Sequence, residues 1–180
     1  MKYIKNTYGS KKAFIKYYYY KLLLILGLFK YYNVKTQGRP KRLVFVCAGN
    51  ICRSPIAEAS AKELGFSAVS FGLDTRGGDN ADARAIAYGH SRGLDLEYHK
   101  SQTPKDYQPV DGDLVVAMEP KHLAMYTKLG YQAPITMLGL YGNEPVPYIH
   151  DPYSSSDTYF NRCEGLILRK TADLIDYVTG

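Results

Sequence analysis

The 180-residue chain has no apolar run long enough to cross a bilayer, only three cysteines, and no acidic residue before Glu58. A spanning helix needs about 20 apolar residues. The best candidate, Leu22-Leu23-Leu24-Ile25-Leu26-Gly27-Leu28-Phe29, is short and bounded by Lys21 and Lys30. A secretory signal would follow its apolar core with a small-x-small cleavage site, but Lys30-Tyr31-Tyr32 stands there. Three cysteines, with Cys47 and Cys52 in one short segment, do not make a disulfide framework. Nor does any His/Cys/Asp spacing suggest a metal site, so neither metal nor cofactor is expected. No internal repeat is visible.

The missing acids divide the chain. Residues 1–42 hold nine Lys and two Arg with no Asp or Glu, so they carry +11, and the remaining 138 residues carry 12 basic and 17 acidic groups, or −5. Residues 1–42 therefore read as a basic, Tyr-rich extension and 43–180 as the folded domain, joined at Thr36-Gln37-Gly38-Arg39-Pro40. A basic arm invites a nucleic-acid reading. Here its charge is interleaved with Tyr17-Tyr18-Tyr19-Tyr20 and the aliphatic run, a mixture that suits an interface with anionic head groups better. No nucleic-acid partner is expected; peripheral membrane contact through residues 13–32 is one reading. An extra helix packed on the domain, or irregular sequence upstream of it, are the others.

From residue 43 onward, strands and helices alternate. Leu43-Val44-Phe45-Val46 is a continuous apolar run and predicts a buried strand. Residues 68–71, 113–117 and 135–138 predict three more. Helices are expected over 54–64, with Ser54 as cap and Pro55 in the first turn, and over 82–92, 120–129 and 156–177. This alternation predicts an α/β fold, a four-stranded parallel sheet with helices on both faces. Ligands bind at the carboxyl ends of such strands, where Cys47 falls.

The segment after the first strand, Cys47-Ala48-Gly49-Asn50-Ile51-Cys52-Arg53-Ser54-Pro55, carries the chemistry. Backbone amides of Ala48, Gly49, Asn50, Ile51, Cys52 and Arg53, folded inward between strand and helix, can hydrogen-bond phosphate oxygens, and the helix adds its positive end. Gly49 lets the backbone approach closely, and Asn50 tolerates positive φ. Arg53 offers a planar fork that grips two oxygens at once. The same field favours the thiolate form that makes a cysteine nucleophilic. Ser54 can donate to that sulfur and assist its departure. Cys52 either fills the underside of the loop or forms a protective disulfide with Cys47 under oxidation; Cys163 reads as a core or surface residue, not chemistry. Expulsion of an alkoxide or phenoxide needs a proton. In Ile149-His150-Asp151-Pro152-Tyr153, Pro152 stiffens the loop that would hold the Asp151 carboxyl above the phosphate, and Asp151 would then activate water. His150 reads as a loop residue.

These motifs resemble the low-molecular-weight protein tyrosine phosphatases over about residues 43–178. The resemblance rests on Cys47 to Ser54, the helix start Ser54-Pro55-Ile56-Ala57-Glu58, and Asp151-Pro152-Tyr153. It implies a flavodoxin-like sheet order (phosphotyrosine phosphatase I-like) and a phosphotyrosine-protein substrate. It also implies Cys47 as nucleophile, Arg53 as phosphate ligand and Asp151 as acid, with Asn50, Ser70 and His99 keeping the loop in shape. Many members stack a large aromatic on the substrate from the loop after the second strand. Here Leu73-Asp74-Thr75-Arg76-Gly77-Gly78-Asp79-Asn80 has none, leaving Leu73 and Tyr153 as the expected substrate walls. That loop is similar to bacterial members paired with tyrosine kinases of capsule and exopolysaccharide export. A nucleophilic cysteine needs a reducing compartment, so a cytoplasmic location is expected. Ile51 resembles tyrosine phosphatases; related arginine phosphatases carry Thr there. A thiol-dependent arsenate reductase of related fold would need further cysteines in mid-chain, and residues 53–162 contain none. A phosphate-binding adaptor without turnover, held at a membrane by the arm, is the remaining alternative.

Overall fold

Each apolar run predicted to be a strand becomes one in the computed structural model, which describes residues 2–32 and 39–180. The strands are β1 (Arg42–Cys47), β2 (Ala68–Gly72), β3 (Asp113–Ala117) and β4 (Ile135–Met137). All pairings are parallel, in the order β2-β1-β3-β4. Leu43 to Val46 and the whole of β3 are buried, as an apolar run covered on both faces must be. The chain passes from β1 to β2 on one side and returns to β3 on the other. The crevice at this reversal lies beyond the carboxyl end of β1, and Cys47, opposite Gly72, is the last residue of that strand.

One face of the sheet is covered by α3 (Arg53–Glu63), α4 (Ala83–His90) and α6 (Asp157–Thr179). Ile56, Ala57, Phe160, Ile167 and Leu174 pack there against Leu43, Phe45, Leu114 and Val116. On the opposite face, Val44, Val46, Val115 and Ala117 meet Leu123 and Tyr126 of α5 (Pro120–Lys128), together with Tyr107 and Phe29.

Phe29 belongs to the basic extension. Residues 2–32 form α1 (Lys2–Tyr8), α2 (Lys11–Ile25) and a 3₁₀ turn (Lys30–Tyr32). Gly9 takes a φ of +83° between the two helices, and Ser10 caps α2, its hydroxyl accepting from the Ala13 amide at 3.0 Å. The Thr136 hydroxyl donates to the Tyr32 carbonyl at 2.5 Å, and Tyr20 packs with Tyr148 at 5.4 Å between ring centres. Of the readings open for the extension, packed helices describe residues 2–32. The expected linker over 36–40 lies largely outside the described residues. The last strand ends one residue earlier than predicted, because Leu138 enters a 3₁₀ turn (Leu138–Leu140).

Candidate active site

Asn50 is the only non-glycine with positive φ among the described residues, at +55°. A residue in that conformation turns the chain sharply, and Asn meets the demand at little cost. Gly49, the glycine expected to make the bend, keeps an ordinary φ; a Cβ there would meet only the Ile51 side chain, at 3.6 Å. The turn is then locked from three sides. The Asn50 side-chain amide donates to Ser54 Oγ at 2.9 Å and Ser70 Oγ at 2.7 Å, and its Oδ1 accepts from the Gln102 amide at 2.8 Å. The Ser70 hydroxyl in turn donates to Glu58 Oε2 at 2.6 Å.

Around this bend the loop carbonyls are committed outward. Those of Cys47, Ala48 and Ile51 accept from the amides of Leu73, Asp74 and Asp82 at 2.8, 2.9 and 2.8 Å, and the Asn50 carbonyl pairs with His99 Nε2 at 2.8 Å. Because N–H and C=O lie on opposite sides of a planar trans peptide, the amides of Ala48, Gly49, Ile51 and Cys52 turn toward the hollow. The Asn50 amide itself donates to Cys47 Sγ at 3.2 Å, and Ser54 Oγ lies 3.0 Å from the same sulfur. Ser54 therefore does not cap α3, as expected from sequence. The helix begins at Arg53, no side chain caps it, and the Ser54 hydroxyl serves Cys47 and Asn50 instead. The neighbouring Gly72 is required sterically, since a Cβ on it would come within 2.7 Å of the Ala48 carbonyl.

Arg53 is 1 % exposed and joins the loop to two carboxylates. Its Nη1 donates to Glu119 Oε1 at 3.1 Å and to the Ile149 carbonyl at 3.0 Å, and Nη2 donates to Asp151 Oδ2 at 2.6 Å. Burial works against its charge, but Asp151, Cys47 and Glu119 outweigh that and hold the guanidinium more firmly protonated than usual. Its Nε has no hydrogen-bond partner among the described residues, and with the second Nη2 hydrogen it leaves two of the five donors for incoming oxygens. The sequence reading missed Glu119. It stands just past the carboxyl end of β3, where the strand-end rule that located Cys47 would also have pointed.

The loop bearing Asp151 is held from several directions. Asp151 is about a third exposed, and its Oδ1 accepts from the Tyr153 amide at 3.2 Å. Arg84 of α4 donates to the Tyr153 and Ser155 carbonyls at 2.6 and 3.2 Å. His150 Nδ1 pairs with the Tyr148 hydroxyl at 2.9 Å. The extension supports the same segment from behind, since a Cβ on Gly9 would lie 2.6 Å from the His150 ring. Tyr153 is 59 % exposed and Leu73 half-buried. Cys47, Cys52 and Cys163 are all free thiols. Cys52 is buried, and burial, with nearby Glu164 and Asp82, pushes its thiol well up. Cys163 is packed in the core with its sulfur at the His150 carbonyl, 3.5 Å away. Next to it, Glu164 is fully buried, neither carboxyl oxygen has a hydrogen-bond partner among the described residues, and burial pushes its pKa up to about 8.

A thiol carrying donors, a buried guanidinium and a carboxyl beside it make a phosphoester site, and the comparisons agree. Residues 42–179 match the family described as low molecular weight phosphotyrosine protein phosphatase. The chain belongs to that family. It is accordingly a protein-tyrosine phosphatase, a hydrolase of phosphoric monoesters. The low molecular weight phosphotyrosine protein phosphatase of Sus scrofa is 33 % identical over 138 residues, covering 67 % of this chain and 84 % of the pig protein. Among solved structures, the Erwinia amylovora tyrosine phosphatase AmsI superposes with a TM-score of 0.67 at 26 % identity, covering 77 % of this chain and 93 % of its own. Vibrio vulnificus Wzb, solved in complex with benzylphosphonate, gives 0.66 at 27 % identity over 76 % of this chain and 98 % of its own. The phosphatase fold and family expected from the loop are thus borne out.

Proposed function

We propose that Cys47, Arg53 and Asp151 carry the reaction of this phosphatase, and that its substrate is a tyrosine-phosphorylated protein, a bacterial tyrosine kinase of exopolysaccharide export being the partner class. The Cys47 thiolate attacks phosphorus while the amides of Ala48, Gly49, Ile51 and Cys52 and the Arg53 fork hold the three non-bridging oxygens. The P–O bond to the tyrosyl ring breaks, and Asp151 gives its proton to the departing phenoxide. Asp151, now a carboxylate, takes a proton from water as that water attacks the phosphocysteine. The P–S bond then breaks, inorganic phosphate leaves, and the Ser54 hydroxyl hydrogen-bonds the returning thiolate. The observation that carries this reading is Arg53: one buried side chain bonds the acid at 2.6 Å and roots in the loop around the sulfur.

Several features support the partner. The 73–80 loop offers no aromatic wall, and Tyr153 stands well exposed on the other side, an entrance suited to a residue presented on a protein. The benzylphosphonate bound by Vibrio vulnificus Wzb carries one ring on a phosphonate, the shape this entrance would admit. Free thiols at the site fit a reducing, cytoplasmic compartment, and residues 1–42 are taken as an extension to a domain over 43–180. Phosphate release from phosphotyrosine, phosphoserine and phosphoarginine peptides tests the chemistry; turnover confined to phosphotyrosine is expected, and equal turnover of phosphoarginine would overturn it. For the partner, the Asp151→Ala protein should trap a tyrosine-phosphorylated kinase co-expressed with it, and a kinase left unbound and still phosphorylated beside the wild type would rule that class out.

A further inference from the structure

Helix α2 has two faces, and only one packs against the domain; on the other, Tyr18 meets Tyr8 of α1. On α2, Ala13 is buried, Tyr20 packs on Tyr148, and Leu23 and Leu24 lean into the core around Phe29. The opposite side carries Ile15, Tyr18, Tyr19, Leu22, Ile25 and Leu26, all exposed, with Ile15 at 67 % and Ile25 at 74 %. Their spacing of three and four residues places them within an arc of about 120°, one apolar stripe along the helix. Lys12 and Lys21 flank the stripe and Lys11 stands at its N-terminal end. All three are exposed, and none of them meets a carboxylate among the described residues.

We infer that this stripe seats on an anionic lipid surface, with α2 lying in the plane of the interface. Aliphatic and tyrosine side chains would enter the boundary between head groups and acyl chains, while the flanking lysines extend their ammonium groups to lipid phosphates. Charge chooses this occupant over a second copy of the chain. Residues 1–42 hold nine Lys, two Arg and no acid, so two stripes face to face would set Lys11, Lys12 and Lys21 against their equivalents without a counter-charge. A nucleic acid would want the lysines at the centre of the contact, whereas here the centre is Ile15, Leu22 and Ile25. Seated this way, α2 holds the domain at the surface through the same extension that backs the Asp151 loop at Gly9. This inference does not rest on the phosphatase chemistry.

The test uses the full chain, co-sedimented with large vesicles of neutral phosphatidylcholine alone or with about one-third phosphatidylglycerol, at low and high salt. Partition to the anionic vesicles should be at least tenfold stronger and should weaken with salt. The triple variant Ile15→Glu, Leu22→Glu, Ile25→Glu should lose it while hydrolysing p-nitrophenyl phosphate at the wild-type rate, since none of the three touches the domain core. Lys11→Gln, Lys12→Gln, Lys21→Gln should erase the preference for anionic over neutral lipid. Equal, weak partition of the wild type to both vesicles would overturn the inference, as would undiminished binding by the Glu variant. So would a lipid-free dimer in sedimentation velocity that the Glu variant dissolves, because the stripe would then belong to a second copy.

Discussion

Replacing Asp151 with Asn separates its two jobs, because the structure assigns them different magnitudes. As a structural partner, Asp151 bonds Arg53 Nη2 at 2.6 Å but is about a third exposed, and Arg53 keeps Glu119 and the Ile149 carbonyl on its other nitrogen. The Asn carbonyl oxygen can still accept from Nη2, so the loss of stability should be about 1 kcal/mol or less. As a proton donor the residue is not replaced by its neighbour His150, which is turned to Tyr148. Loss of a general acid slows the reaction roughly 10²–10⁴-fold, about 3–5 kcal/mol of barrier, when the leaving group needs the proton. Turnover of phenyl phosphate should therefore fall by that factor, and turnover of p-nitrophenyl phosphate, whose phenoxide leaves readily, by less than about tenfold. Steady-state kinetics on the two esters, with urea unfolding of both proteins, gives all the numbers needed. Equal slowing of both esters would remove Asp151 as the acid. A stability loss above about 3 kcal/mol would instead make it a buried structural ion.

The loop and the buried acid make further predictions. Asn50→Gly removes three side-chain hydrogen bonds but keeps the φ of +55°, whereas Asn50→Ala also meets the left-handed penalty of about 1–2 kcal/mol; urea unfolding should find Ala the less stable, and the reverse order would refute the left-handed constraint at this position. Glu164, with its pKa raised from the usual 4.5 to about 8, binds its proton more tightly folded than unfolded. Its contribution is complete below about pH 4.5 and is lost as pH rises through 8, roughly 4–5 kcal/mol in all at about 1.4 kcal/mol per pH unit. Unfolding between pH 5 and 8 should show that slope in the wild type and a flatter one in Glu164→Gln; identical slopes would show that Glu164 does not titrate there. Gly9→Ala, blocked by its φ of +83° and the His150 ring, should loosen the extension from the domain, read as faster proteolysis within residues 2–32; unchanged cleavage would show that the two are not packed through Gly9.

The strands and the phosphate loop were legible in the sequence because local pattern decides them. An unbroken apolar run such as Leu43 to Val46 has few fates but a buried strand, and Cys47 to Ser54 combines residue types that only a phosphate site requires. The sequence was silent where roles depend on residues distant along the chain. Glu119 acts because β3 brings it to Arg53, 66 positions away, and only its place past a strand end, with no motif around it, points there. Ser54 was expected to cap α3 on a local rule, but the hydroxyl is more useful to Cys47 and to the turn at Asn50. The extension was readable as basic and rich in Tyr and aliphatic residues, yet its inward face was not. Phe29 reaches the sheet only because Gly27, at φ +78°, and the 3₁₀ turn fold the chain back after α2.

The central claim is that Cys47 itself carries the phosphoryl group. Rapid acid quench of the Asp151→Ala protein turning over p-nitrophenyl phosphate, followed by peptide mass spectrometry, reads this directly. A phosphate adduct on Cys47 that forms and decays at the rate of turnover is expected, together with its loss in Cys47→Ser, which should still bind vanadate. An adduct on Cys52, or turnover that survives Cys47→Ser, would contradict the account.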